Sequence, residues 1–91
     1  MSVVLFTYFY VLGIYEDRMF VVMLDSEGNF VTDRIGNTKG APPANLIGLP
    51  TGSIVRVPIG TTTFTTMKSG RMRVTFGVEP EVTFTPTQII V

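Results

Sequence analysis

Neither cysteine nor histidine occurs in this chain. The first absence removes disulfides, thiolate metal sites and thiol nucleophiles. The second removes the side chain that titrates nearest neutral pH and the commonest metal ligand, leaving carboxylates, tyrosines, lysines and hydroxyls for any chemistry. An enzyme is not expected on these grounds, nor is a metal or a cofactor. Charge is scarce as well: charged residues are 15% of the chain, against about a quarter in ordinary soluble proteins, which argues against disorder.

A long membrane-spanning run is also missing. Residues 3–15 are apolar apart from Thr7 and Gly13, then Glu16, Asp17 and Arg18 follow at once. That stretch is short of the roughly 20 apolar residues of a span, and it has neither the basic start nor the small-residue cleavage site of an export signal. Its Val, Phe and Tyr content suits a buried strand. The expectation is a soluble, intracellular chain with no membrane partner.

What the chain does contain is apolar residues, 45% of 91. Residues 1–91 are enough for one domain with one core, and a domain this small has difficulty burying so much apolar surface alone, so a homo-oligomer is expected.

Breakers divide the sequence into about six strands. The first covers residues 3–12 and ends at Gly13. Residues 19–25 and 29–35 form a hairpin around Asp25-Ser26-Glu27-Gly28-Asn29, and with Glu27 and Gly28 as the turn pair Leu24 faces Val31 and Val22 faces Asp33. Residues 36–52 hold four glycines and three prolines, a density foreign to a strand. Within them Pro43-Ala44-Asn45-Leu46-Ile47 can form one helical turn, with Leu46, Ile47 and Leu49 closing an end of the core. A fourth strand starts at Ser53 with Val55, Val57 and Ile59 on one face, bends at Pro58 and Gly60, and continues over 61–67. The fifth, 71–78, alternates Met72, Val74 and Phe76 with Arg71, Arg73 and Thr75. A last strand, 82–91, is interrupted by Pro86 and belongs at an edge. The fold class is all-β: a small closed or partly open barrel, OB-like or SH3-like, with one long Gly/Pro-rich connection, or alternatively a small β-sandwich.

Charge is distributed unevenly although the formal net charge is zero. From Arg34 to Val78 every charged residue is basic (Arg34, Lys39, Arg56, Lys68, Arg71, Arg73), while Glu16, Asp17, Asp25, Glu27 and Asp33 crowd the first third. A two-residue turn at Ser69 and Gly70 places Lys68 opposite Arg71, Thr66 opposite Arg73 and Phe64 opposite Thr75 on one face. Lys and Arg neutralise phosphate, a base stacks on an aromatic ring, and threonine hydroxyls add phosphate contacts. The expected function is therefore non-enzymatic binding of single-stranded DNA or RNA by this hairpin, with Arg56 and Lys39 extending the track. The alternative is an oligomeric structural or protein-interaction subunit, assembling through the stripe Val4, Phe6, Tyr8 and Tyr10 of the first strand.

Other clusters carry less. Glu79 with Glu81, and Asp25 with Glu27, lack the spacing of a cation loop and fit solvated turns. Residues 48–53 lack the Gly-Lys-Ser/Thr ending of a phosphate loop.

Overall fold

The computed structural model describes residues 5–38 and 40–86. In chain order these form β1 (Phe6–Tyr15), β2 (Arg18–Leu24), β3 (Phe30–Thr38), a 3-10 turn (Ala44–Leu46), β4 (Ile54–Pro58), β5 (Thr62–Thr66), β6 (Met72–Phe76) and β7 (Glu81–Phe84). The bend at Pro58 and Gly60 divides the expected fourth strand into β4 and β5, which makes seven strands where about six were expected. No helix among the described residues is long and apolar enough to cross a membrane.

One mixed sheet holds all seven strands in the order β5-β6-β3-β2-β1-β4-β7. β4 and β5 stand five strand spacings apart in that order, about 24 Å in a flat sheet. Only residues 59–61 join them, and four Cα–Cα steps reach about 15 Å at most. The sheet must therefore curl until its ends approach each other, which makes a partly open barrel with β5 and β7 as its edges. Side chains meet across the interior accordingly. Phe9 on β1 lies 6.1 Å from Phe64 on β5 and 5.4 Å from Phe76 on β6, ring centre to ring centre.

Alternation of side chains decides what fills this barrel. Phe9, Val11, Met19, Val21, Val55, Val57 and Val74 point inward and are fully buried, with Leu46 of the 3-10 turn closing one end. Leu49 also packs there, brought back by the turn at Ile47 and Gly48 that Leu49 N closes by donating to Leu46 O. Ile47, expected beside them, falls on the other side and is exposed. Ile59 was also expected inside. It occupies the corner of a turn closed by Thr61 N donating to Pro58 O, and points to solvent.

Both longer hairpins use the same three-residue loop. Asp25 N donates to Asn29 O across residues 26–28, and Met67 N donates to Arg71 O across residues 68–70. Gly28 and Gly70 hold the third loop position at φ of 83° and 86°, the left-handed residue of a turn followed by a G1 bulge. The Asp25 carboxylate fixes the first loop by accepting from Glu27 N and Asn29 N. This extra loop residue corrects both expected registers. Leu24 faces Phe30 instead of Val31, and Val22 faces Ile35 instead of Asp33 after a further irregularity in the ladder.

β3 and β6 run parallel, with Gly36 beside Met72, Asn37 beside Arg73 and Thr38 beside Val74. At Gly36 the strands come so close that an added Cβ would overlap the Met72 carbonyl. The final strand sits at an edge as expected, but its regular part is β7. Residues 87–91 of the expected strand lie outside the described residues.

Candidate nucleic-acid interface

Register decides which hairpin residues can act together, since a shift of one residue sends every side chain to the opposite face. In the β5–β6 hairpin, Thr62 pairs with Phe76, Phe64 with Val74, Thr65 with Arg73 and Thr66 with Met72. The expected pairings of Phe64 with Thr75 and of Thr66 with Arg73 are thus each displaced by one, and Lys68, expected opposite Arg71, lies in the loop while Met67 faces Arg71. Phe64 turns inward against Phe9, and the Arg34 guanidinium lies 5.1 Å from its ring centre. Its faces are spent on the core and on Arg34, so it offers no platform for a base. Thr66 goes with it, its hydroxyl directed at Met72 Sδ at 3.5 Å.

Arg71, Arg73 and Thr75 lie on the outer face, joined there by Thr63 and Thr65 of β5. Lys68 is exposed at the tip of the hairpin loop. Arg56 belongs elsewhere: it lies on β4, four strands away from β6, where its Nε donates to Glu81 Oε2 at 3.0 Å. Its guanidinium also covers the Phe6 ring at 4.0 Å. The hydrogen-bonding Tyr8 side chain, and then Glu81, raise the pKa of Arg56 above the ordinary arginine value. Lys39 lies outside the described residues.

The outer face brings Arg73 a different set of neighbours. Thr65, Arg73, Asn37 and Phe20 form one transverse row across β5, β6, β3 and β2. Phe20 meets the ring of Tyr15 edge-on at 5.5 Å, and Tyr15 is well exposed. Arg73 Nε and Asn37 Oδ1 are both buried and have no hydrogen-bond partner. A buried donor or acceptor left unmade costs about 1–3 kcal/mol, so a ligand that reached the pair would recover that cost. Among the described residues the ion pair is Arg56 with Glu81, leaving Lys68, Arg71 and Arg73 without a carboxylate. Asn37, Phe20 and Tyr15 were not among the residues singled out from the sequence. Only the parallel β3–β6 pairing brings Asn37 to Arg73, and no local pattern announces a parallel pair.

The other half of the outer face carries large apolar side chains beside the Arg56–Glu81 pair. Phe84, Ile54, Tyr10, Val22 and Ile35 make a row across β7, β4, β1, β2 and β3. Of the first-strand stripe, Phe6, Tyr8 and Tyr10 stand on this face, opposite in direction to Phe9 and Val11, and Val4 lies outside the described residues. Tyr10 packs against Phe30 with ring centres 5.0 Å apart and the rings steeply tilted. Val22 is fully buried although it belongs to no part of the barrel core, so its outward neighbours cover it.

Taken together, the described residues form an all-β fold whose seven-strand mixed sheet curls without closing, with one polar, cationic part of its outer face and one part rich in large apolar side chains. Comparison with known proteins finds no matching family, curated protein or solved structure.

Proposed function

We propose that this chain binds single-stranded nucleic acid, without catalysing a reaction and in an intracellular setting, on the outer face of β5, β6, β3 and β2. The observation that carries this reading is the row Thr65, Arg73, Asn37 and Phe20, in which a cation, an amide with an unspent acceptor and an aromatic ring lie side by side. Arg71 and Arg73 neutralise phosphates, Thr63, Thr65 and Thr75 donate to phosphate oxygens, and Phe20 with Tyr15 offers ring surface to unstacked bases. Glu16 and Asp17 turn the chain just beyond Tyr15, so a polyanion would end its path short of them.

Topology supports the reading by analogy. A three-strand meander, a parallel contact between its third strand and the last hairpin strand, and a bent strand that wraps from one sheet end to the other make an OB-like arrangement. Such barrels bind oligonucleotides on an outer sheet face. With a formal net charge of zero, long-range attraction is weak, and binding rests on local cations that salt screens readily.

Fluorescence anisotropy with a labelled single-stranded oligonucleotide, at low and moderate salt, tests the proposal. Salt-sensitive binding at micromolar protein is expected. Arg71→Ala and Arg73→Ala should each weaken it and flatten the salt slope by about one unit. Absence of binding at low salt overturns the reading, and unchanged affinity in both variants moves the site off this face.

A further inference from the structure

We infer that the row Thr65, Arg73, Asn37 and Phe20 reads a base as well as holding a strand, and that guanine is the base it prefers. This inference rests on the nucleic-acid reading above and adds the chemistry of the ligand to it. Asn37 and Arg73 are paired residues of the parallel β3–β6 junction. Each side chain is half-buried with one buried polar atom left over, Oδ1 on the first and Nε on the second. Because neither side chain is sealed in, a small rotation brings either atom to the surface.

The two atoms make opposite demands on a ligand. Arg73 Nε is a donor, and phosphate, sugar and base oxygens can all accept from it. Asn37 Oδ1 is an acceptor and requires an N–H or O–H. Along a DNA strand the phosphate and sugar ether oxygens are acceptors too, so the donor has to come from a base; in RNA the 2′-hydroxyl also donates. A base that serves both residues therefore presents an acceptor beside a donor. Thymine, cytosine and adenine each offer one acceptor next to one donor group. Guanine offers two acceptors, O6 and N7, which fit the guanidinium fork, and beside them the N1 and N2 donors for Oδ1. Phe20 sets such a base in place. It follows Asn37 in the row, one strand spacing or about 4.8 Å away, so a base lying against its ring turns an edge towards Asn37 and Arg73. Lys68 and Arg71, exposed at and beside the hairpin tip, are left for the phosphates.

Anisotropy on labelled thymine tracts that carry guanine, adenine or cytosine at one central position tests this, with the unbroken thymine tract as reference. A single guanine per strand also avoids four-stranded guanine structures. The guanine tract should bind at least about fivefold more tightly than the other three, the low end of what a bidentate base contact discriminates. Asn37→Ala and Arg73→Lys should each bring that ratio close to one, the second with its charge retained, and circular dichroism should show the native fold in both. The ratio is the decisive readout, since a purely structural role for either residue would weaken all four tracts alike. Equal affinity for all four overturns the inference and leaves the nucleic-acid reading standing, whereas no binding to any tract at low salt overturns both. A guanine preference that survives both substitutions moves base reading off this row. A uridine RNA tract that binds more tightly than the thymine tract, with no base preference in either, gives Asn37 Oδ1 to the 2′-hydroxyl and overturns the inference as well.

Discussion

Asn37 and Arg73 stand side by side across the parallel junction of β3 and β6, and each buries a polar atom, Oδ1 and Nε, that no partner satisfies. A donor and an acceptor left unspent on a solvent-facing row are costly to stability and useful to a ligand. Replacement of Arg73 by methionine keeps much of the aliphatic stem and removes the unpaired donor. We expect Arg73→Met to raise stability by about 1 kcal/mol while weakening oligonucleotide binding. Urea denaturation and anisotropy on the same preparation would report both effects, and a less stable variant would show that Arg73 holds the sheet together.

Gly36 tests the close approach of the same two strands. Any Cβ at this position meets the Met72 backbone carbonyl, which cannot swing aside as a side chain can. Gly36→Ala should therefore cost about 2–4 kcal/mol, measured as a lower denaturation midpoint with an unchanged slope. Gly40, whose Cβ direction is open, is a useful contrast for steric overlap. Its φ of 86° still makes alanine unfavourable, by about 1 kcal/mol.

The β1–β2 turn offers a gain. Tyr15 pairs with Arg18 around Glu16 and Asp17, which hold φ of 52° and 63°. These left-handed values suit a type I′ turn, for which Asn-Gly is the favoured pair. The double substitution Glu16→Asn and Asp17→Gly should stabilise the chain by about 1 kcal/mol, seen as a rise in thermal midpoint. No rise would mean that the acidic side chains contribute something the turn geometry does not reveal.

Thr38 isolates hydrogen bonding from volume. Buried at the end of β3, its hydroxyl oxygen accepts from Met19 N at 3.2 Å while the hydroxyl donates to Gly40 O at 2.9 Å. Thr38→Val preserves the shape and strands both backbone groups, at an expected cost of about 1–3 kcal/mol. Hydrogen exchange should locate the loss at the Met19 amide.

The interior is the last test. Phe9 touches rings from β5 and β6 across the barrel, so Phe9→Ala should remove about 3–5 kcal/mol and loosen the curl itself. By contrast, Glu81→Gln should change stability little, because the Arg56 pair is exposed and such pairs contribute about 0–1 kcal/mol. Paired denaturation curves would separate the two, and a mild effect at Phe9 would argue that the barrel ends are held by the 59–61 connection alone.

Much of this fold is legible in the sequence because its signals are local. The alternation of Val55 and Val57 with Arg56 marks β4, the breakers in 36–52 mark the long connection, and Pro58 with Gly60 marks the bend. The apolar run Leu46, Ile47 and Leu49 announces the end plug, though Leu46 and Leu49 form it and Ile47 does not. The candidate site was harder to read. Ser69-Gly70 looks like a two-residue turn, yet Lys68 joins the loop, and that one residue sends Phe64 and Thr66 away from Arg73 and Thr75.

The sequence by itself determined that this is an all-β chain without thiol or imidazole chemistry, with cations clustered in its middle and an apolar first strand, since composition, period-two patterning and turn residues act over a few positions. Tertiary structure decided everything that depends on strands far apart in the chain. It set the parallel β3–β6 pair that joins Asn37 to Arg73, the curl that encloses Phe64 with Phe9, and the five-strand row on which Tyr10 meets Ile54 and, farther along, Phe84. Hairpin loop length and long-range pairing set those registers, and a shift of one residue in either exchanges the face inside the barrel for the face in solvent.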